Sequence, residues 1–169
     1  MTTIRSVGPG EWPLITDIAH RTWPDTFGAI LSPAQIDYML ERMYSAPALA
    51  RQVAEGHVFL LLRADTVPVG YVSYQTDYLP GTTKIHKLYL LPSTQGRGYG
   101  RLLVEAVQEH ARAAGQQALR LDVNYQNPAV DFYEHLGFEK IDRVDTEIGN
   151  GYLMEDWVMQ RSIIPANNT

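Results

Sequence analysis

The stretch Gln95-Gly96-Arg97-Gly98-Tyr99-Gly100 lies between a predicted strand, residues 84–91, and a predicted helix, residues 97–114. Glycine has no Cβ, so it allows tight turns and a close approach of the main chain to a ligand. The first turn of a helix leaves N–H groups without partners and carries a partial positive charge. The stretch therefore predicts an anion-binding loop suited to a pyrophosphate.

Two arginines, Arg97 and Arg101, strengthen this prediction. Basic side chains at a helix N-terminus oppose the helix dipole, so they are locally unfavourable unless an anion binds there. A flexible turn made of three glycines is the alternative. The spacing does not fit the nucleotide P-loop, which needs Lys followed by Ser or Thr after its last glycine. It does not fit the dinucleotide fingerprint either, because Arg101 stands where that pattern has Gly or Ala.

The composition of the chain limits its function classes. A length of 169 residues indicates one domain, predicted over residues 1–164 with a flexible tail at 165–169. The net charge of −5 gives no electrostatic support for a nucleic-acid partner. The absence of cysteine excludes disulfides, thiolate metal ligands and a catalytic thiol. The N-terminus has no apolar stretch as long as that of a signal peptide, and no apolar run approaches the length of a membrane span. We therefore expect a cytoplasmic protein without a membrane partner.

The order of the predicted elements indicates an α/β fold. Apolar periodicity and turn residues predict strands at 3–7, 57–63, 67–75, 84–91, 119–123, 138–144 and 153–160. They predict helices at 11–22, 33–44, 47–55, 97–114 and 128–135, which leaves residues 22–27 between the first two helices. Strands that alternate with helices and end in a hairpin favour a layered structure with a mixed sheet.

Further motifs surround the loop. The strand before it reads Lys87-Leu88-Tyr89-Leu90-Leu91-Pro92, and a second block comprises Leu121-Asp122-Val123, Asn127-Pro128-Ala129 and Phe132-Tyr133-Glu134-His135-Leu136-Gly137-Phe138. Together with Gln-x-x-Gly-x-Gly, these blocks resemble the GNAT acetyltransferase superfamily. The resemblance implies a mixed, mostly antiparallel sheet of six to seven strands flanked by helices and splayed at the coenzyme A site. It also implies an acetyl-CoA-dependent N-acetyltransferase of the EC 2.3.1 type.

The resemblance carries cofactor-binding roles to particular residues. It implies that the pantetheine arm of acetyl-CoA pairs with the main chain near Leu88, Tyr89 and Leu90. It places the pyrophosphate on the loop from Gln95 to Gly100, with Arg101 beside it. Asn124 or Asn127 is expected to contact the pantetheine amides, and Asn127 also suits the N-cap of the helix that follows.

Catalysis by acetyl transfer needs one group to take a proton from the amine and another to help the thiol leave. The resemblance makes Tyr133 the acid near the sulfur, with a core aromatic as the alternative role. The strand before the loop has no glutamate, so His86 is the candidate substitute base because histidine titrates near neutrality, with a polar residue on a half-exposed strand as the equal alternative. Asp156 or Glu155, acting through water, is the other option. The histidines show no metal-ligand spacing, and we expect no metal.

The acceptor side of the site is less well defined by the sequence. Trp23 and Phe27 are candidate walls of an amine pocket or, equally, a hydrophobic contact between helices. Asp156 is a candidate contact to the substrate. A looser resemblance, to bacterial polyamine acetyltransferases, favours a small cationic amine, and a peptide N-terminus is also considered. The alternative function is a non-catalytic acetyl-CoA sensor. A homodimer is compatible with the sequence.

Overall fold

The computed structural model describes residues 1–164, so the tail predicted at 165–169 lies outside the described residues. The described residues form two compact units. The first unit comprises Met1–Tyr74 and Lys87–Ala106, and the second comprises Gln75–His86 and the chain from Val107 onward. The single domain over residues 1–164 stays a prediction.

Five helices and seven strands make up the fold. The helices are α1 (Trp12–Phe27), α2 (Pro33–Tyr44), α3 (Ala46–Ala54), α4 (Tyr99–Ala113) and α5 (Ala129–His135). The strands are β1 (Thr2–Ser6), β2 (Val58–Ala64), β3 (Val67–Leu79), β4 (Thr82–Leu90), β5 (Ala118–Asn124), β6 (Glu139–Gly149) and β7 (Tyr152–Ser162). They form one mixed sheet in the order β1-β2-β3-β4-β5-β7-β6, which confirms the predicted α/β class and the number of strands.

Helix α1 is longer than predicted, which corrects the position assigned to residues 22–27. This segment is not a connection between two helices but the last turns of α1, which continues through Pro24 to Phe27. Proline usually ends a helix because it lacks an N–H and its ring crowds the preceding turn. Here Trp23 and Phe27, one turn apart, are both buried, and their burial stabilises the helix beyond the proline.

Serine caps define the starts of α2 and α3. The side-chain oxygen of Ser32 accepts a hydrogen bond from the main-chain N–H of Gln35, which is the usual N-cap geometry. Ser45 does the same for Ala48 at the start of α3. Gly56, with a φ of 104°, follows α3 and turns the chain toward β2.

An aromatic cluster fills the core of the first unit. It contains Trp23, Phe27, Tyr44, Tyr71 and Tyr89. The ring centroid of Trp23 lies 4.6 Å from that of Phe27 and 5.7 Å from that of Tyr89. The hydroxyl of Tyr71 donates to that of Tyr44 at 2.6 Å, so two buried polar groups satisfy each other.

The second unit contains the parallel pair of the sheet. Strand β4 pairs with β5 from Thr82 to Ile85, and in the described residues this register ends at Ile85 and Leu121. Strand β7 lies between β5 and β6 and pairs with both of them in antiparallel orientation.

A buried glutamine explains why β3 and β4 extend beyond their predicted ends. The side-chain oxygen of Gln116 accepts hydrogen bonds from the main-chain N–H of Asp77 at 2.9 Å and the hydroxyl of Thr83 at 3.1 Å. Its amide nitrogen donates to the carboxylate of Asp77 at 2.8 Å. These bonds hold the β3–β4 hairpin together around Gly81, and no local pattern in the strands could reveal them.

Candidate active site

The glycine loop, residues 95–100, belongs to the first unit and connects a short 3-10 turn to α4. Gly96 and Gly98 have φ angles of 83° and 80°, a conformation in which other residues are strained. No heavy atom lies within 4 Å of a Cβ built on either glycine. The two glycines are therefore required by backbone conformation, and the space beside them is open to a ligand.

The main-chain amides at the start of α4 are available as donors. Within residues 1–164, none of the N–H groups from Gly96 to Arg101 donates to a main-chain carbonyl. The side chain of Arg97 is exposed, and Arg101 makes only a long i,i+4 contact with Glu105, at 3.8 Å between exposed groups. Such a pair contributes little, so both guanidinium groups can turn to an anion at the helix N-terminus.

The end of β4 runs close to β3 in the first unit. Leu88, Tyr89 and Leu90 are half-buried, and the main-chain N–H of Leu91 donates to the carbonyl of Val69 at 2.8 Å. A Cβ on Gly70 would collide with the side chain of Leu90 and approach the carbonyl oxygen of Tyr89 to 3.0 Å. Gly70 thus allows the close approach of the strand that the resemblance assigns to the pantetheine arm.

Two asparagines of the second unit each use the side-chain oxygen to accept a hydrogen bond from the main chain. Asn124 accepts a hydrogen bond from the main-chain N–H of Gln126, and Asn127 accepts one from that of Ala129, both at 2.9 Å. The N-cap residue of α5 is Pro128, so Asn127 lies one position before the predicted cap, and its side chain satisfies the N–H of the first helical residue instead. The amide nitrogen of each side chain is then the atom suited to a carbonyl of a ligand.

Tyr133, on α5, is 6% exposed and packs against the rings of Phe132 and Phe138. Burial raises the pKa of its hydroxyl well above the ordinary value for tyrosine. The hydroxyl consequently stays protonated throughout the neutral range. Among residues 1–164 it has no hydrogen-bond partner, so its proton is available to a bound group.

His86 lies on β4 within the second unit and is half-buried. Its Nε2 lies 3.0 Å from the side-chain oxygen of Gln75, and its ring meets the edge of Tyr78 at 5.7 Å between centroids. The predicted base is thus already held by protein contacts at one ring nitrogen.

Asp156, on β7, is 8% exposed. The pKa of its carboxyl is raised to about 6, mainly by burial and then by the neighbouring carboxylate of Asp122, whereas Lys84 and Arg143 act in the opposite direction. Asp122 itself is paired with Lys84, with 3.0 Å between Nζ and the carboxylate oxygen. The sequence analysis named Asp156 but did not identify Lys84 and Asp122 as its neighbours. The only available signal was strand alternation, which places Lys84 on the same face of β4 as the candidate base His86.

Lys87 is a buried charge that the sequence analysis did not single out. It is 4% exposed, and its Nζ donates to the side-chain oxygen of Gln52 and, at 3.3 Å, to the carbonyl of Met43. The ring centroids of Tyr44 and Phe59 lie 4.5 Å and 5.0 Å from Nζ. Burial lowers the pKa of its ammonium to about 7. A lysine within a strand usually has a solvated side chain, so nothing in the sequence indicated that the side chain of Lys87 is buried.

Trp23 and Phe27 are 1% and 6% exposed and belong to the aromatic cluster of the first unit. This packing favours the role of Trp23 and Phe27 as a hydrophobic contact over their role as walls of an amine pocket. Among the described residues, no group of three His, Asp or Glu side chains is placed to hold a metal ion.

A sequence model described as the acetyltransferase (GNAT) family matches residues 12–138. The chain belongs to this family. It is therefore an N-acetyltransferase, and the GNAT resemblance and the enzyme class predicted from the motifs are confirmed. No helix within residues 1–164 is long and apolar enough to cross a membrane.

Among its relatives, an aminoglycoside N(6′)-acetyltransferase of type 1 from Stenotrophomonas maltophilia is 32% identical, over 84% of this chain and 89% of the relative. A spermidine N(1)-acetyltransferase from Thermoplasma acidophilum is 23% identical, over 90% of this chain and 94% of the relative. The solved structure of the PaiA N-acetyltransferase from Thermoplasma acidophilum, in complex with coenzyme A, has a TM-score of 0.82 at 21% identity. That alignment covers 96% of this chain and 99% of that structure, and it supports the GNAT fold.

Proposed function

We propose that this N-acetyltransferase takes its acetyl group from acetyl-CoA, whose pyrophosphate binds the glycine loop. The observation that carries the proposal is the row of main-chain amides from Gly96 to Arg101 that donate to no carbonyl of the described chain. Such amides, the partial positive charge of α4 and the two arginines all favour an anion. A structural relative solved with coenzyme A supports the identity of that anion.

The remaining cofactor contacts follow from the family resemblance. The pantetheine arm pairs with the main chain of β4 at Leu88, Tyr89 and Leu90, which lies beyond the register with β5. The side-chain amide nitrogens of Asn124 and Asn127 contact its carbonyl groups. Both assignments use main-chain and amide groups, so they bind the arm without adding charge.

Tyr133 acts as the acid of the reaction. When the amine attacks the thioester carbonyl, the C–S bond breaks and negative charge develops on sulfur. The phenol donates its proton toward that sulfur, and solvent restores the proton afterwards. Its raised pKa keeps the phenol protonated before each turnover, and a positioned acid of this kind contributes about 10²–10⁴-fold to a rate.

The acceptor is a small cationic amine, with a polyamine as first choice. One relative is named for spermidine and another for aminoglycosides, and both acceptors carry several amino groups. The net charge of −5 raises the local concentration of cations. Asp156, a buried carboxylate, supplies a counter-charge for an ammonium group. A peptide N-terminus is the second candidate acceptor.

Thiol release from acetyl-CoA in the presence of a panel of amines tests the proposal. We expect rapid release with spermidine and spermine, slower release with an alkyl monoamine of matched length, and a KM for spermidine that rises with ionic strength because salt screens the carboxylate. Mass spectrometry should show one acetyl group on the amine for each thiol released.

Other outcomes separate the alternatives. Rapid acetylation of peptide N-termini, without acetylation of polyamines, would replace the polyamine acceptor and keep the acetyltransferase. Tight acetyl-CoA binding without thiol release for any amine would favour the non-catalytic sensor.

A further inference from the structure

Five charged side chains meet in the second unit, on four neighbouring strands of the sheet. This charged cluster comprises Lys84 on β4, Asp122 on β5, Arg143 and Asp145 on β6, and Asp156 on β7. Four of them form ion pairs: Lys84 with Asp122 at 3.0 Å, and Arg143 with Asp145 at 3.4 Å between nitrogen and oxygen. The fifth, Asp156, forms no ion pair or hydrogen bond through its carboxylate within residues 1–164.

This arrangement leaves one unbalanced negative charge on the most buried carboxylate of the charged cluster. Asp156 is 8% exposed as a residue, and an ionised carboxylate in such a largely buried position without a protein partner is costly to keep in a folded protein. Hydrogen bonds or a cation normally compensate for such burial. Burial and Asp122 together raise the pKa of Asp156 to about 6, and shifts of this kind are concentrated at functional sites.

The strand register places Asp156 beside the segment assigned to the cofactor. Asp156 lies directly opposite Asn124 of β5, so their side chains project from the same face of the sheet. Asp122, two residues before Asn124, shares that face. A proton acceptor on this face is adjacent to the proposed pantetheine contact.

We propose that the carboxylate of Asp156 receives the proton that the acceptor amine loses, and that the Lys84–Asp122 ion pair sets the pH at which it can do so. The inference rests on the proposed acetyl transfer. The acceptor arrives as an ammonium and gives one proton to Asp156, which passes it to solvent. The neutral nitrogen then forms its bond to the carbonyl carbon, the C–S bond breaks, and the nitrogen loses a second proton to solvent. Tyr133 supplies one proton to the sulfur, so the overall reaction releases one proton.

His86 is the competing acceptor, because it lies two residues from Lys84 on the same strand and an imidazole can accept a proton. Its Nε2 already lies within hydrogen-bond distance of Gln75, whereas the carboxylate of Asp156 has no such contact in the described chain. This difference favours Asp156 over His86 as the acceptor of the amine proton.

The pH dependence of kcat/KM, measured on the full-length protein with acetyl-CoA and spermidine, tests the proposal. We expect the wild-type rate to fall on the acid side as Asp156 takes up a proton, with a midpoint near pH 6. Asp156→Asn should lower kcat about 10²–10³-fold and remove this acid limb. If spermidine is not turned over, the amine that reacts fastest in the panel replaces it.

The two members of the ion pair should move the acid limb in opposite directions. Lys84→Met removes a positive charge near Asp156 and should move the midpoint to higher pH, whereas Asp122→Asn removes a negative charge and should move it to lower pH. The control is Asp142→Asn, which removes an exposed carboxylate of β6 and keeps the oxygen that accepts from the main-chain N–H of Arg143. It should leave the profile unchanged.

Stability gives a second readout that a purely structural role would not produce. Asp156 has a raised pKa in the folded state, so the folded protein is destabilised by ionisation of this group as pH rises from about 4 through 6. Asp156→Asn should therefore have an equal or higher Tm than the wild type at pH 8, despite its lower rate. A carboxylate needed only for the fold would give a lower Tm.

Three results would overturn the proposal. Asp156→Asn with a wild-type acid limb, together with His86→Gln that removes it, would make His86 the base. Shifts of the same sign for Lys84→Met and Asp122→Asn would exclude control by the ion pair. A wild-type protein that releases no thiol with any amine would contradict the proposed function itself, and this inference with it.

Discussion

The glycine loop and the charged cluster around Asp156 are built in different ways. The loop is a continuous segment whose donors are main-chain amides, and its conformation depends on Gly96 and Gly98 with positive φ. The charged cluster takes side chains from β4, β5, β6 and β7, and its properties depend on burial and on ion pairs between residues far apart in the chain. We infer that cofactor binding is encoded locally, whereas proton transfer depends on the assembled sheet.

Tyr133→Phe gives the largest effect that we expect and separates these two properties. The substitution removes the proton donor and keeps the ring between Phe132 and Phe138. We expect kcat to fall about 10²–10⁴-fold while the Kd of acetyl-CoA, measured by calorimetry, changes by less than about twofold. An unchanged kcat under conditions where chemistry limits the rate would reduce Tyr133 to a packing residue.

Gly98→Val tests the local part of the comparison. Valine at a φ of 80° is strained and fills the open space beside the loop, so the Kd of acetyl-CoA should rise by about 10–100-fold. Gly115→Val is the matched control, because Gly115 has a φ of 75° and equally open surroundings at the other end of α4.

Both glycine variants should lose stability, but only Gly98→Val should lose affinity for acetyl-CoA. Equal affinities for the two variants and the wild type would show that the pyrophosphate binds elsewhere.

Lys87→Met is expected to change stability more than activity. Burial lowers the pKa of Lys87 to about 7, so the unfolded chain binds more protons than the folded chain between about pH 7 and the ordinary lysine value near 10.4. Wild-type stability should accordingly rise with pH in this window, by about 1.4 kcal/mol per pH unit more steeply than that of Lys87→Met. Urea unfolding at pH 7.5, 8.5 and 9.5 measures the two slopes. Parallel slopes would contradict the lowered pKa of Lys87.

The sequence predicted the parts of the fold that local patterns determine. The helix predicted at 33–44, the long helix α4 and the terminal hairpin of β6 and β7 all appear in the structure because each depends on neighbouring residues. The extension of α1 past Pro24 was missed because it depends on the burial of Trp23 within the aromatic cluster.

The candidate site shows the same division. The residues of the glycine loop were predicted from their spacing alone. Asp156 was named from the sequence, but its raised pKa results from burial and from Asp122, which lies 34 positions earlier and on another strand. Lys87 gave no signal, because only the folded chain shows that its ammonium is enclosed by Tyr44, Phe59 and Gln52.

A crystal structure of the protein with acetyl-CoA tests the central assignment most directly. We predict density for the pyrophosphate within hydrogen-bond distance of the main-chain amides between Gly96 and Arg101, with the side chain of Arg97 or Arg101 turned toward it. Pyrophosphate density away from these amides, in crystals where acetyl-CoA is fully occupied, would contradict the account.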